Sequence, residues 1–143
     1  MGKYETFEHG ADIGIRGYGE TLEEAFSNAL KALFELVVEE VNWDNVSEEY
    51  QTEVEARAEF LDELFVIFIN KCLGIFYDEG VILKSFEGKI EKNEEYTLKG
   101  MVKGEKFDPD KFGYGVEVKG ATFTMAKVEK TDRGWIAQCV VDV

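Results

Sequence analysis

An α+β domain, with two helices packed on a largely antiparallel sheet, is the fold class this sequence predicts. Two apolar stripes of helical period occupy the first half of the chain, and alternating segments surround them and fill the second half. The resulting order, β–α–β–α–ββββ, lacks the regular βα alternation of a parallel sheet. No Ser/Gly/Pro-rich tract, repeat or low-complexity run interrupts residues 1–143, so they are read as a single domain.

The first extended segment spans Phe7 to Tyr18, with Ile13 and Ile15 alternating, and ends at Gly17-Tyr18-Gly19. Thr21-Leu22-Glu23-Glu24 then has the form of a capping box, in which the Thr21 hydroxyl accepts from the Glu24 amide and Glu24 reaches back. Leu22, Ala25, Phe26, Ala29, Leu30, Leu33, Phe34 and Val37 follow at i, i+3, i+4 spacings, predicting a helix from Leu22 to Glu39. After a turn at Asn42–Ser47, the alternation of Tyr50, Thr52, Val54, Ala56 and Ala58 with charged residues predicts a half-buried strand. A second helix is expected from Leu61 to Tyr77, closed by Asp78-Glu79-Gly80. Val66 and Ile67 widen its apolar arc, which predicts that it is the more buried of the two. Strands are expected at Val81–Ile90, Tyr96–Lys103, Val116–Val128 and Trp135–Asp142, with turns at Asn93-Glu94 and Asp132-Arg133-Gly134.

Charge narrows the function classes. Thirty acids against sixteen bases leave a net charge of −14, a balance that repels nucleic acid and anionic lipid and attracts cations or a basic protein. Direct nucleic-acid binding is therefore not expected. The longest apolar stretch, Leu64 to Tyr77, is too short for a membrane span and contains Asn70 and Lys71. Cys72 and Cys139 sit in apolar patterns without CxxC spacing or a secretory leader, so two buried, reduced thiols in a cytoplasmic protein are expected.

Asp12 and Asp142 carry the strongest chemical signal. Each lies among aliphatic residues in a strand segment, where carboxylates are depleted and costly to bury unpaired, and neither has an adjacent base. If the first and last strands are neighbours, both carboxylates and the terminal carboxylate of Val143 meet at one edge. Such an all-oxygen set suits a hard divalent cation and not structural zinc. Ca²⁺ or Mg²⁺ would serve.

The remaining motifs weigh less. His9 is the only histidine, and with no nucleophile signature nearby a conformational role outweighs acid–base chemistry. Alternation puts Glu117 and Lys119 on one face, opposite Val116 and Val118, as an exposed ion pair or as a Lys beside the carboxylates or a partner. Gly17-Tyr18-Gly19 lacks the third Gly and the Lys of a phosphate loop and is followed by acids, so it reads as a plain turn. Phe107-Asp108-Pro109-Asp110 lacks the spacing of a calcium-binding hand and reads as a solvated turn.

Taken together, Glu8–Ile15, Gly19–Phe26, the Leu61–Phe76 segment, Gly104–Asp108, Glu117-Val118-Lys119 and the final Val140-Val141-Asp142-Val143 resemble the archease family across essentially the whole chain. The resemblance implies a protein cofactor, not an enzyme, of the GTP-dependent RNA ligase (RtcB type) of tRNA splicing. Its role would be to promote guanylylation of the ligase and multiple turnover. It also implies that Asp12 and Asp142 bind a metal, completed by a main-chain oxygen of Val143, and that Lys119 is functional. The chain departs from the family pattern at Gly10, Gly120, Thr124 and Lys111-Phe112, which leaves His9 alone and weighs against histidine chemistry. Two rival readings are a metal-dependent hydrolase and a chaperone or adaptor whose acidic face shields basic RNA-modifying proteins.

Overall fold

The computed structural model describes residues 3–143. The chain opens with a hairpin of β1, Tyr4–His9, and β2, Asp12–Gly19. This corrects the expectation of one extended segment over Phe7–Tyr18. Gly10 and Ala11 form a two-residue loop closed by the pair His9–Asp12, and Gly10 takes a φ of 59°. A glycine with positive φ at the first loop position matches a type II′ hairpin, whose twist suits the flanking strands.

Helix α1 spans Leu22–Val37, and Thr21 Oγ1 accepts the Glu24 N–H at 3.1 Å. A 3₁₀ turn at Trp43–Asn45 leads into β3, Tyr50–Ala58, and then α2, Leu61–Glu79, which ends on left-handed Gly80. β4, Val81–Lys92, and β5, Tyr96–Lys106, form a long hairpin with a register shift between Leu83 and Ser85. Phe107–Asp110 is more ordered than a solvated turn: Asp108 caps a short helix α3, Pro109–Phe112, by accepting from the Asp110 amide.

The strand expected over Val116–Val128 is broken. Only β6, Gly120–Ala121, and β7, Lys127–Thr131, pair with β8, Gly134–Asp142, and they do so end to end along one of its edges. Between them Thr122 N and Oγ1 both donate to the Val140 carbonyl, the Val140 amide donates to Thr124 O, and Met125 adopts a φ of 55°. The bulge keeps the edge of β8 bonded while Phe123 and Met125 point out.

All sheet pairing is antiparallel, as expected, but it is divided between two sheets. One has the order β1-β2-β8-β6, with β7 also on β8, and the other is β3-β5-β4. A common core joins them: Phe26 of α1 meets Phe65 and Phe68 of α2 at 5.0 and 5.5 Å, and Phe68 meets Phe86 of β4 at 5.2 Å. Helix α1, not α2, is the more buried, with nine buried residues of sixteen against seven of nineteen. It lies against β2, β8 and β4, and its polar residues finish the β4 edge. Ser27 Oγ accepts the Phe86 amide at 2.9 Å and Glu23 Oε2 the Ile90 amide at 3.0 Å, so that edge is closed to further pairing.

Cys72 and Cys139 are free and fully buried. Burial pushes the Cys139 thiol up to about 12, against a small opposing effect of a Thr122 backbone hydrogen bond. Among the described residues, no helix is long and apolar enough to cross a membrane.

A carboxylate end on the first sheet

β2 and β8 pair antiparallel from Gly19–Trp135 to Ile13–Val141. Asp12 and Asp142 are the next residue of each strand at the same end, so the expected meeting of first and last strands occurs. Facing residues of such a pair sit about 4.5–5.5 Å apart at Cα. The Val143 amide donates to Asp12 Oδ1 at 3.4 Å, which ties the chain beyond β8 to the start of β2.

Asp12 and Val143 are half-buried and Asp142 is exposed. The pattern explains how apolar strands end in acids without strain: the aliphatic residues, Ile15, Cys139 and Val141, are in the core, and the carboxylates emerge where the sheet stops. His9 lies across from Asp12 on β1 and is exposed. On the other side, Gly120 pairs with Asp142, and the Lys119 amide donates to the Asp142 carbonyl at 2.7 Å. Sheet pairing therefore brings His9, Asp12, Asp142, Val143 and the backbone of Lys119 to one end.

Glu117 precedes β6 and is not part of this pairing. The segment before β6 is irregular, so the expected alternation holds only in part: Val118 is buried and Glu117 and Lys119 are exposed, but Val116 is exposed as well. Among the described residues, neither Asp12 nor Asp142 takes part in a salt bridge, and Glu117 and Lys119 form none with each other.

No group of three or more His, Cys, Asp or Glu side chains is gathered for a metal among the described residues. The donors at this end are two carboxylates, neither in a salt bridge among the described residues, and main-chain oxygen. Oxygen donors are the type a hard divalent cation keeping several waters takes. In donor chemistry these residues suit such an ion better than structural zinc, because both thiols are in the core.

One supporting residue escaped the sequence reading. Asn70 of α2 accepts the Ala121 amide at 2.8 Å and donates to the Ala121 carbonyl at 3.2 Å. Its side-chain amide acts as one rung of strand along the free edge of β6 and holds that strand against β8. The signal was available, since Asn70 interrupts an otherwise apolar helix face.

A second supporting contact organises the chain before β6. Glu105 Oε2 takes Lys111 Nζ at 2.8 Å, and its other oxygen takes the Ser47 amide at 2.8 Å. Desolvation raises the Glu105 pKa, but Lys111 and Ser47 together outweigh it and leave the carboxyl below its usual value. A depressed carboxyl contributes stability that is present above the unfolded pKa, about 4.3, and is lost as pH falls through the folded value. With Lys111 substantially exposed, the contribution is no more than about 1 kcal/mol. In urea titrations between pH 7 and pH 3, Glu105→Gln should start less stable and lose less on acidification. Parallel curves for the two proteins would contradict this.

A shallow concavity of about 750 Å³ lies at the other end of β2 and β8, lined by Tyr18, Glu20, Arg133 and Trp135 among others. It is lined by charges of both signs, Lys3 and Arg133 against Glu20, Glu24 and Asp132.

Comparison with known proteins gives the family and the fold. Residues 4–143 match the model of the archease protein family. The protein archease of Pyrococcus abyssi is 44% identical over the full length of both chains. That of Methanosarcina mazei is 36% identical over 99% of this chain and 96% of its own. A solution structure from Methanobacterium thermoautotrophicum superposes with a TM-score of 0.81 at 29% identity, covering 99% of each chain. The crystal structure of a Thermotoga maritima archease, described as a possible chaperone, shares the fold with a TM-score of 0.58 at 20% identity, covering 96% of this chain and 94% of its own. Matched from β1 to the last residue, this chain belongs to the archease family.

Proposed function

We propose that this protein is an accessory factor of the GTP-dependent, RtcB-type RNA ligase of tRNA splicing, promoting guanylylation of the ligase and its repeated turnover. Family membership supports a role exerted on another protein, and the Thermotoga maritima relative is described as a possible chaperone. The observation that carries the reading to particular residues is the placement of Asp12 and Asp142 at one end of paired strands, without a basic partner among the described residues.

Asp12, Asp142 and a main-chain oxygen of Val143 would hold a divalent cation, Ca²⁺ first and Mg²⁺ or Mn²⁺ as alternatives. When bound, such an ion supplies charge neutralisation at nucleotide phosphates, the main requirement of phosphoryl transfer. The protein's own residues do the positioning. The Val143 amide orients the Asp12 carboxylate, and the Lys119 amide, bonded to the Asp142 carbonyl, holds the end of β8 in register. The charge of −14 favours approach to a basic surface on the ligase. Two buried thiols in reduced form are consistent with a cytoplasmic location.

The test is GTP-dependent guanylylation of the ligase under multiple-turnover conditions, with and without this protein at matched divalent metal. Strong stimulation is expected. Its absence would favour a second reading, a chaperone or adaptor for basic RNA-modifying proteins, for which the description of the Thermotoga maritima relative speaks. That reading expects several unrelated basic proteins to be stabilised against heat.

A further inference from the structure

A groove of about 490 Å³ opens between the end of α2 and the segment preceding β6, lined by Val37, Phe76, Tyr77, Phe107, Tyr114 and Val116 among others. Its volume is within the roughly 300–1,000 Å³ of sites that bind ligand groups. The floor is rigid. Phe34, Phe76, Phe107 and Tyr114 form a continuous aromatic ladder with ring separations of 5.8, 5.8 and 5.2 Å, running from the core to the surface. At its outer end Tyr114 is 74%, Tyr77 53% and Val116 39% exposed. Adjacent large apolar side chains left in water mark an interaction surface more than an isolated one does.

Acids predominate around the groove. Glu117 is in its wall, Asp78 and Glu79 follow Tyr77, and Glu39 lies against Gly113 beside Tyr114. None of these four carboxylates forms a salt bridge among the described residues, although Glu79 accepts the Tyr50 hydroxyl at 3.2 Å. The neighbouring Lys106 and Lys111 are engaged, by the Glu79 carbonyl and by Glu105. Two of the acids, Asp78 and Glu79, also stand at the C-terminal end of α2, where the helix dipole favours a cation.

The groove connects to the carboxylate end. Gly115 and Val116 amides bond to the Val37 and Leu36 carbonyls, Tyr77 Oη donates to the Val118 carbonyl at 2.7 Å, and Lys119 then bonds to Asp142. One wall of the groove is thus the strap that leads to Asp142.

We propose that this groove is where the ligase docks, through a Lys/Arg-rich segment that places an aromatic or aliphatic anchor between Tyr77 and Tyr114. The inference rests on the accessory role proposed above and names its contact surface. The apolar anchor supplies the contact, and the acids select the flanking bases.

Binding of the purified ligase, followed by titration calorimetry at two salt concentrations, tests it. Tyr114→Ala, with its side chain mostly in water, should keep the wild-type melting temperature and weaken binding at least tenfold. Glu39→Lys combined with Glu117→Lys should weaken binding and flatten its salt dependence. Phe123→Ala serves as the control, because Phe123 is equally an exposed apolar residue, at 61%, but sits on the bulge beside β8. It should bind as the wild type does. Unchanged affinity in Tyr114→Ala, or an equal loss in Phe123→Ala, overturns the groove and leaves the accessory role standing. No binding by the wild type overturns both.

Discussion

Asp142→Ala and Asp12→Ala should each fold normally and lose the ability to stimulate the ligase, by at least about tenfold. Even outer-shell changes at metal sites cost about 10–100-fold, and on the proposal above these two carboxylates would be the side-chain ligands of the ion. The fold should tolerate the change, because Asp142 is exposed and neither residue is ion-paired among the described residues. Asp142→Ala should therefore stay within about 0.5 kcal/mol of the wild type without metal. Relief of repulsion between the two carboxylates leans the sign towards stabilisation.

A second readout separates metal loss from a packing effect. Any ligand that binds only the folded state raises its stability by RT ln(1 + [L]/Kd), about 2.7 kcal/mol at a hundredfold excess over Kd. Adding Ca²⁺ should raise the melting temperature of the wild type and leave both variants unmoved. Asp142→Asn, which keeps the shape and removes the charge, should behave as Asp142→Ala. If stimulation and the Ca²⁺ response both survive in Asp12→Ala and Asp142→Ala, the carboxylate end is not the active surface.

That end was legible in the sequence because two carboxylates inside aliphatic runs need a common explanation, and a strand pairing supplies one. Helices α1 and α2, β3 and the β4–β5 hairpin were legible for an equally direct reason, since each buries one face and carries its period in the chain. Strand β1 was not. Tyr4 and Phe7, its half-buried apolar residues, are three apart and break the alternation of a strand, which here is set by pairing with β2. The stretch Val116–Val128 shows the converse. Its apolar residues resemble one long strand, yet the start of the stretch runs along the end of α1 and the bulge with Thr122 and Thr124 on Val140 interrupts the rest. Only Gly120–Ala121, Lys127 and Val128 of this stretch therefore pair with β8. Tyr77 and Tyr114 are 37 positions apart in the chain, and only folding makes them the lips of one groove.

Gly17→Ala should destabilise the protein by about 3 kcal/mol, the upper part of the range for overfilling a packed core. Gly17 and Gly19 read as a turn in the sequence, but both belong to β2, and a glycine within a strand often marks the close approach of another backbone. Here that backbone is α1. A Cβ on Gly17 would run into the Ala25 carbonyl oxygen and the Ala29 amide, with the Ala29 Cα at 2.9 Å. Main-chain atoms in the middle of a helix cannot rotate aside as a side chain would, so α1 has to lift from β2. The lift would also disturb its contacts with β4, where Ser27 and Glu23 hold the strand edge. Gly74→Ala makes the same chemical change in the interior of α2, where a Cβ meets nothing within 4 Å. There the helix propensity of Ala should win and stabilise by up to about 1 kcal/mol. Urea denaturation of the two variants beside the wild type measures both numbers. Opposite signs are expected. A Gly17→Ala protein within 0.5 kcal/mol of the wild type would mean that α1 does not rest on the backbone of β2.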